Sequence, residues 1–157
     1  MPLVEAYYIV CIMAYKGKFK PKNPHKYFGD PTKIVYRSLW ERKCMVTFDE
    51  NPNVISWASE ELCIPYLSPV DGKVHRYFPD FLVELINKNG DVETLLIEVK
   101  PKKQTDLPKK PESGKMTRRY IKEVKTYAIN NAKWEAAEEV CKKKGWKFKV
   151  ITEKEIF

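Results

Sequence analysis

The sequence predicts a mixed α/β fold, a central sheet flanked by helices, and three observations carry that prediction. Ser38 with Glu41 three residues on is a capping box, and Trp40, Cys44 and Phe48 follow at helical spacing. Two apolar runs on either side of Asn89-Gly90 read as a β-hairpin. After the basic run Lys142 to Lys144, Gly145 sits where a helix C-cap belongs, and Trp146 to Ile151 alternates like a half-buried strand. At 157 residues the chain fits one domain with a substantial core.

In chain order, residues 1–33 are an N-terminal apolar extension and a basic arm, and residues 34–157 carry the folded domain. Within the arm, Lys16, Lys18, Lys20, Lys22, Lys26 and Lys33 stand among Gly, Pro, Asn and aromatics with no apolar period. It is either a solvated tail or a phosphate contact. A helix is expected over about 39–49, ending before Asn51-Pro52, then an extended connector over Asn53–Ala58. Glu61–Leu67 reads as a first strand closed by the turn Pro69-Val-Asp-Gly72, Lys73–Ile86 as a second, and 92–100 as a third. Pro79 has no N–H to give a ladder, so a bend or bulge is expected beside Asp80. Residues 101–113, heavy in Pro and Lys, read as a loop. Thr117–Asn130 reads as a helix with Ile121, Val124 and Ala128 on one face, and Asn131 as the cap of a separate helix that buries Trp134. The final strand is followed by a short helix opened by Thr152 and Glu155.

Charge narrows the class. With 29 Lys and Arg against 21 Asp and Glu, the net charge of +8 and pI near 9.2 favour a polyanionic partner, with DNA or RNA ahead of an acidic membrane surface. No apolar run approaches the ~20 residues of a spanning helix. The run Tyr7–Tyr15 has neither a basic flank before it nor a cleavage site, so it is not expected to be a signal peptide. Cys11, Cys44, Cys63 and Cys141 form no C-x-x-C pair and are expected to be reduced and mostly buried. His25 and His75 are isolated and are not expected to bind metal.

Two carboxylates and a lysine interrupt the predicted hairpin: Asp80 on one strand, Glu98 and Lys100 on the other. Charges inside apolar strands are costly unless paired, protonated or metal-bound. A turn about Asn87–Gly90 puts Asp80 opposite Glu98 within one position, about 5 Å apart. Period-2 alternation puts Glu98 and Lys100 on one face, with Leu95, Ile97 and Val99 on the other. Two such carboxylates suit a hard cation such as Mg²⁺, which takes one or two protein carboxylates and fills its other places with water and phosphate oxygens. Lys100 could then orient the attacking water. The plain structural alternatives are a turn residue at Asp80, an exposed charge ladder at Glu98 and Lys100, and a simple cap at Glu41.

Pro79-Asp80 with Glu98-Val-Lys100 resembles the PD-(D/E)XK nuclease signature, and the order of elements is similar to that superfamily's αβββαβ core. More closely, the segments Met13-Ala-Tyr-Lys-Gly-Lys18, Gly29-Asp-Pro31, Tyr36-Arg-Ser-Leu-Trp-Glu41, Trp57-Ala-Ser-Glu60, Ile64-Pro-Tyr66, Arg76-Tyr-Phe78, Ile97 to Lys103 and Asn131 to Ala137 resemble the head completion nucleases of T-even-type phages. That family is itself similar to the TnsA transposon endonuclease. The resemblance runs from Met13 onward and leaves residues 1–12 outside it. It implies a Mg²⁺-dependent DNA endonuclease, with Mn²⁺ as a possible substitute, working in the virion or host cytoplasm beside head, portal or neck proteins.

By that resemblance Asp80 and Glu98 are metal ligands, Lys100 is the catalytic lysine, and Glu41 assists the metal or its water. Phe81 follows Asp80 where an alternative acid could stand, so the site depends on Asp80. Arg37, Lys102, Lys103, Arg118, Arg119 and Lys133 are candidate DNA contacts, with surface ion pairs or plain solvation as the alternatives. Lys122, Lys125 and Gln104 are weaker candidates. The rival functions are a DNA-end-binding head protein that does not cut, and a TnsA-like or junction-resolving endonuclease.

Overall fold

The structure, a computed structural model, describes residues 16–156, so the apolar extension Met1–Tyr15 with Cys11 lies outside the described residues. The arm from Lys16 to Lys33 lies along the core. Strand β1 (Gly17–Lys18) pairs antiparallel with β2 (Val35–Tyr36), with a 3-10 turn at Pro24–Lys26 between them. Phe19 and Tyr27 meet the Trp57 ring edge-on at 5.8 and 4.8 Å, so these two aromatics among the lysines are packing groups, while Phe28 is exposed.

Helix α1 (Leu39–Glu50) begins where the capping box places it: Ser38 Oγ accepts from the Glu41 amide at 3.1 Å. Its buried face, Trp40, Cys44 and Met45 with Phe48 beside them, covers one side of the sheet.

The strand assignments need three corrections. Val54–Ser59, where a connector over Asn53–Ala58 is expected, is strand β3 and pairs antiparallel with β6 (Phe81–Ile86). A register irregularity between Val54 and Ser56, and the burial of both Trp57 and Ala58, erase the alternation by which a strand is recognised. Ile64–Leu67 (β4) is therefore not the first core strand; with β5 (Val74–Tyr77) it forms a separate hairpin laid over the sheet. The expected long strand 73–86 breaks at Phe78-Pro79-Asp80, giving β5 and then β6 (Phe81–Ile86), because Pro79 has no amide to donate.

Strand β7 (Val92–Val99) returns from the Asn87–Gly90 turn, and β8 (Lys147–Ile151) adds parallel to it. The four-stranded mixed sheet runs β3-β6-β7-β8. A short helix α2 (Lys102–Thr105) interrupts the predicted loop. Helix α3 (Arg118–Lys144) is one helix of 27 residues, not two. Asn130 and Asn131 are poor helix formers, but Ile129, Ala132, Trp134, Ala137 and Cys141 pack against the sheet around them, and that burial overrides propensity. Gly145 ends α3 in the left-handed conformation, φ 72°, and α4 (Glu153–Ile156) is capped by Thr152 as expected.

The central sheet is thus covered on both faces. Trp40, Trp57, Phe81, Val83, Leu95, Ile97 and Val99 fill the α1 side; Ile64, Tyr66, Tyr77, Leu96, Ala137 and Cys141 fill the side closed by α3 and the β4–β5 hairpin. Leu95 through Val99 are all buried, so the face that carries Glu98 is no exposed ladder. Among the described residues no helix is long and apolar enough to cross a membrane.

Candidate active site

Strand register brings the two central carboxylates together. Phe81 pairs with Ile97, so Asp80, one residue before β6, stands level with Glu98 on β7. Asp80 Oδ2 accepts from the Val99 amide at 2.7 Å. Glu98, only 6% exposed, accepts from the Tyr77 hydroxyl at Oε2 over 2.7 Å, and its Oε1 lies 3.6 Å from Lys100 Nζ. The break at Pro79 produces this arrangement. It ends β5 at Tyr77, whose hydroxyl reaches Glu98, and opens β6 just after Asp80.

Electrostatically the carboxylates are frustrated. Burial first, then Glu98 and Glu41, push the Asp80 pKa well above the usual carboxylate range, and the Val99 amide and Lys100 offset only part of this. Glu98 is raised too, chiefly by burial, against the pull of Lys100 and Tyr77. Burial first, then the charge and hydrogen bond of Glu98, raise the Tyr77 phenol, which therefore stays a donor. Asp80 keeps a partial opening to solvent.

Glu41 is held at the helix cap. Its Oε2 accepts from the Arg37 amide at 3.0 Å, a capping contact one residue upstream of the expected Ser38 amide, while its charge reaches Asp80. Burial and the nearby Glu60 raise its own pKa. Among the described residues no three His, Cys, Asp or Glu side chains close on one metal position. The donors that fit a divalent ion are accordingly the Asp80–Glu98 pair, two hard oxygen ligands whose mutual repulsion a cation would relieve. Glu41 stands behind them, held at the helix cap.

Glu60 was not singled out from the sequence. It ends β3 with φ 54°, a left-handed conformation uncommon for a residue with a side chain, and its amide donates to the Asp80 carbonyl at 3.1 Å. Its carboxylate takes Arg37 as a fork, Nε to Oε1 at 3.1 Å and Nη2 to Oε2 at 3.2 Å. Tyr77 was also missed. A tyrosine ending an exposed hairpin strand gives no local signal that its hydroxyl reaches an acid 21 residues on.

The candidate DNA contacts divide into three groups. Lys133 reaches the site itself: its Nζ lies 5.7 and 5.6 Å from the ring centres of Tyr66 and Tyr77, and burial and Lys100 lower its pKa. Arg37 is at the rim, paired with Glu60. The remainder lie away on the surface: Lys102 pairs with Asp106 and Arg119 with Glu123, while Lys103 and Arg118 are exposed, as are Lys122, Lys125 and Gln104. His75 pairs with Asp71 at 2.8 Å.

Residues 51–153 match the family described as TnsA-like endonuclease N terminal. That span takes in Asp80, Glu98, Lys100 and Lys133, and begins after Glu41. The head completion nuclease of Enterobacteria phage T4 is 43% identical over 143 residues, covering 90% of this chain and 93% of that protein. With one match across well over half of its length and the other along nine-tenths of it, the chain belongs to the TnsA-like endonuclease family, and its mixed sheet between helices is the restriction-endonuclease-like fold.

Proposed function

We propose that this chain is a Mg²⁺-dependent DNA endonuclease that acts on phage DNA or its ends while the head is completed. The observation that carries the reading is the pair of level carboxylates, buried Glu98 and partly buried Asp80, with Lys100 Nζ 3.6 Å from Glu98. The similarity to a head completion nuclease along nearly the whole of both chains supports the role in the head, and the charge of +8 supports the polyanionic substrate.

Asp80 and Glu98 would hold the metal, with Glu41 reaching it through water. Bound there, a divalent ion would lower the pKa of a water molecule and offset charge gathering on the phosphate. The chain's own groups do the rest. The Tyr77 hydroxyl orients Glu98 and the Val99 amide orients Asp80. Lys100 steadies the attacking water and the charge that grows as one P–O bond breaks. Enclosure between α3 and the β4–β5 hairpin strengthens each of these interactions by excluding bulk water. Partners in the head, portal or neck follow from the same reading, as does a location in the virion or host cytoplasm.

The test is cleavage of linear, circular and branched DNA with and without Mg²⁺, by the native chain and by Asp80→Asn. Metal-dependent cleavage that Asp80→Asn removes is the expected result. Tight binding with no cleavage under any condition would overturn the enzyme in favour of a DNA-end-binding head protein.

A further inference from the structure

Lys133 reaches the site from the helix and not from the sheet. It stands in one stripe of α3 with Ala137 and Cys141, at intervals of four, and those two are enclosed against the sheet. Its ammonium lies over Tyr66 and Tyr77 at 5.7 and 5.6 Å, and Tyr77 is the residue whose hydroxyl holds Glu98 at 2.7 Å. Lys100, Glu98 and Asp80 all lie near enough for their charges to act on it.

Among the described residues Lys133 has no carboxylate partner within ion-pair distance, unlike Lys100, Lys102 and Lys147. The two rings compensate its charge from one side. The nearest acid is already engaged: Glu98 gives one oxygen to Tyr77 and turns the other to Lys100. A half-buried ammonium beside a second ammonium is therefore short of negative charge, and a phosphodiester entering over Asp80 and Glu98 would supply it.

We propose that Lys133 is a second catalytic lysine, which donates to a non-bridging oxygen of the scissile phosphate while Lys100 remains with Glu98. The proposal rests on the reading of the site as one that hydrolyses phosphodiesters. It separates Lys133 from Lys122 and Lys125 of the same helix, which are exposed and can serve only as backbone contacts.

The experiment compares native chain, Lys133→Met and Lys133→Arg in single-turnover cleavage of duplex DNA with the enzyme in excess and Mg²⁺ present. Affinity for the same duplex is measured in EDTA, and each protein is melted. Lys133→Met keeps the aliphatic stem against the rings and is expected to lose about 100-fold in the saturating rate, the usual cost of one donor to a developing oxyanion. Its metal-free affinity should change less than about threefold, as suits one phosphate contact among many. Lys133→Arg should regain at least a tenth of the native rate, since the cation is restored. A native saturating rate in Lys133→Met, with or without weaker binding, overturns the proposal and leaves Lys133 a backbone contact. Equal rate loss in both variants with a collapsed melt overturns it too, in favour of packing against Tyr77. If the native chain does not cut at all, the proposal falls together with the site reading, whereas cutting by both the native chain and Lys133→Met removes only the role of Lys133.

Discussion

Among the described residues two places enclose carboxylates, and they do so in opposite ways. Asp49, at the end of α1, is 1% exposed and is met by two backbone donors, the amides of Lys22 and Asn23 at 2.8 and 3.1 Å. Its own carbonyl accepts from Asn23 Nδ2 and Lys26 Nζ, so the whole contact fastens the basic arm to the helix. Glu98 is buried and Asp80 is partly open to solvent, but the two carboxylates repel each other, and their donors do not offset the burial that raises both pKa values. A buried acid saturated by backbone amides is a fastening. Two acids left short of donors and set against each other store unfavourable electrostatics that a cation can release.

Substitution at the frustrated pair should give the largest effect and the sharpest contrast. Asp80→Asn or Glu98→Gln should lower the single-turnover cleavage rate by about 1,000-fold or more, because the metal's several kcal/mol of charge stabilisation is lost. The metal-free Asp80→Asn protein should nonetheless melt higher than the native chain, by the ~0.5–2 kcal/mol typical when a functional strain is removed. An Asp80→Asn protein that melts lower in EDTA would break the comparison. Next in size, Lys100→Ala should cost about 100- to 1,000-fold in rate with DNA affinity in EDTA preserved.

Asp49→Ala should do the reverse. It leaves two part-buried amides without their acceptor, which costs about 2 kcal/mol of stability in a denaturant titration, while cleavage per folded molecule stays at the native value. Loss of cleavage by folded Asp49→Ala would mean that the arm belongs to the site.

Acid should separate the two regions further. The folded-state pKa values of Asp80, Glu98 and Glu41 are raised, so the native state holds their protons more tightly than the unfolded chain does. Their electrostatic cost is absent below the ordinary carboxylate pKa and grows as pH rises through the raised folded-state values. The melting advantage of metal-free Asp80→Asn over the native chain should accordingly be larger at pH 8 than at pH 5 and shrink toward pH 4. Divalent binding, followed by calorimetry, should weaken with acid at a higher pH than an ordinary carboxylate pair would show. The smallest effect is expected at Arg119, whose pairing with Glu123 at 3.0 Å is exposed on α3. Arg119→Ala should leave the melt unchanged and at most reduce the salt dependence of DNA affinity by about 0.9 log units per tenfold change in salt, the share of one phosphate contact.

The elements that could be read from the sequence are those with a local cause. Ser38 and Glu41 announced α1, Asn89-Gly90 the hairpin, and Gly145 the end of α3, because capping, turn geometry and left-handed φ depend on a few neighbouring residues. Strand β3 stayed hidden because its irregular pairing and double-sided burial remove the period-2 signal, and α3 appeared divided because the Asn130-Asn131 pair favours a break in isolation. In both cases distant packing outweighed local preference.

The candidate site follows the same division. From sequence alone came Asp80, Glu98 and Lys100, since charges inside apolar strands stand out, and hairpin register places Asp80 level with Glu98 at short range. Tertiary structure decided what acts on them. Tyr77 comes from a hairpin folded over the sheet, Glu60 from the end of a strand that the pattern concealed, and Lys133 from a helix more than thirty residues later. None of these shares a strand or helix period with the acids it meets. The sequence alone determined which charges are anomalous, because cost of burial is a property of residue and strand; which groups answer those charges is settled only when separate elements close over them and exclude water.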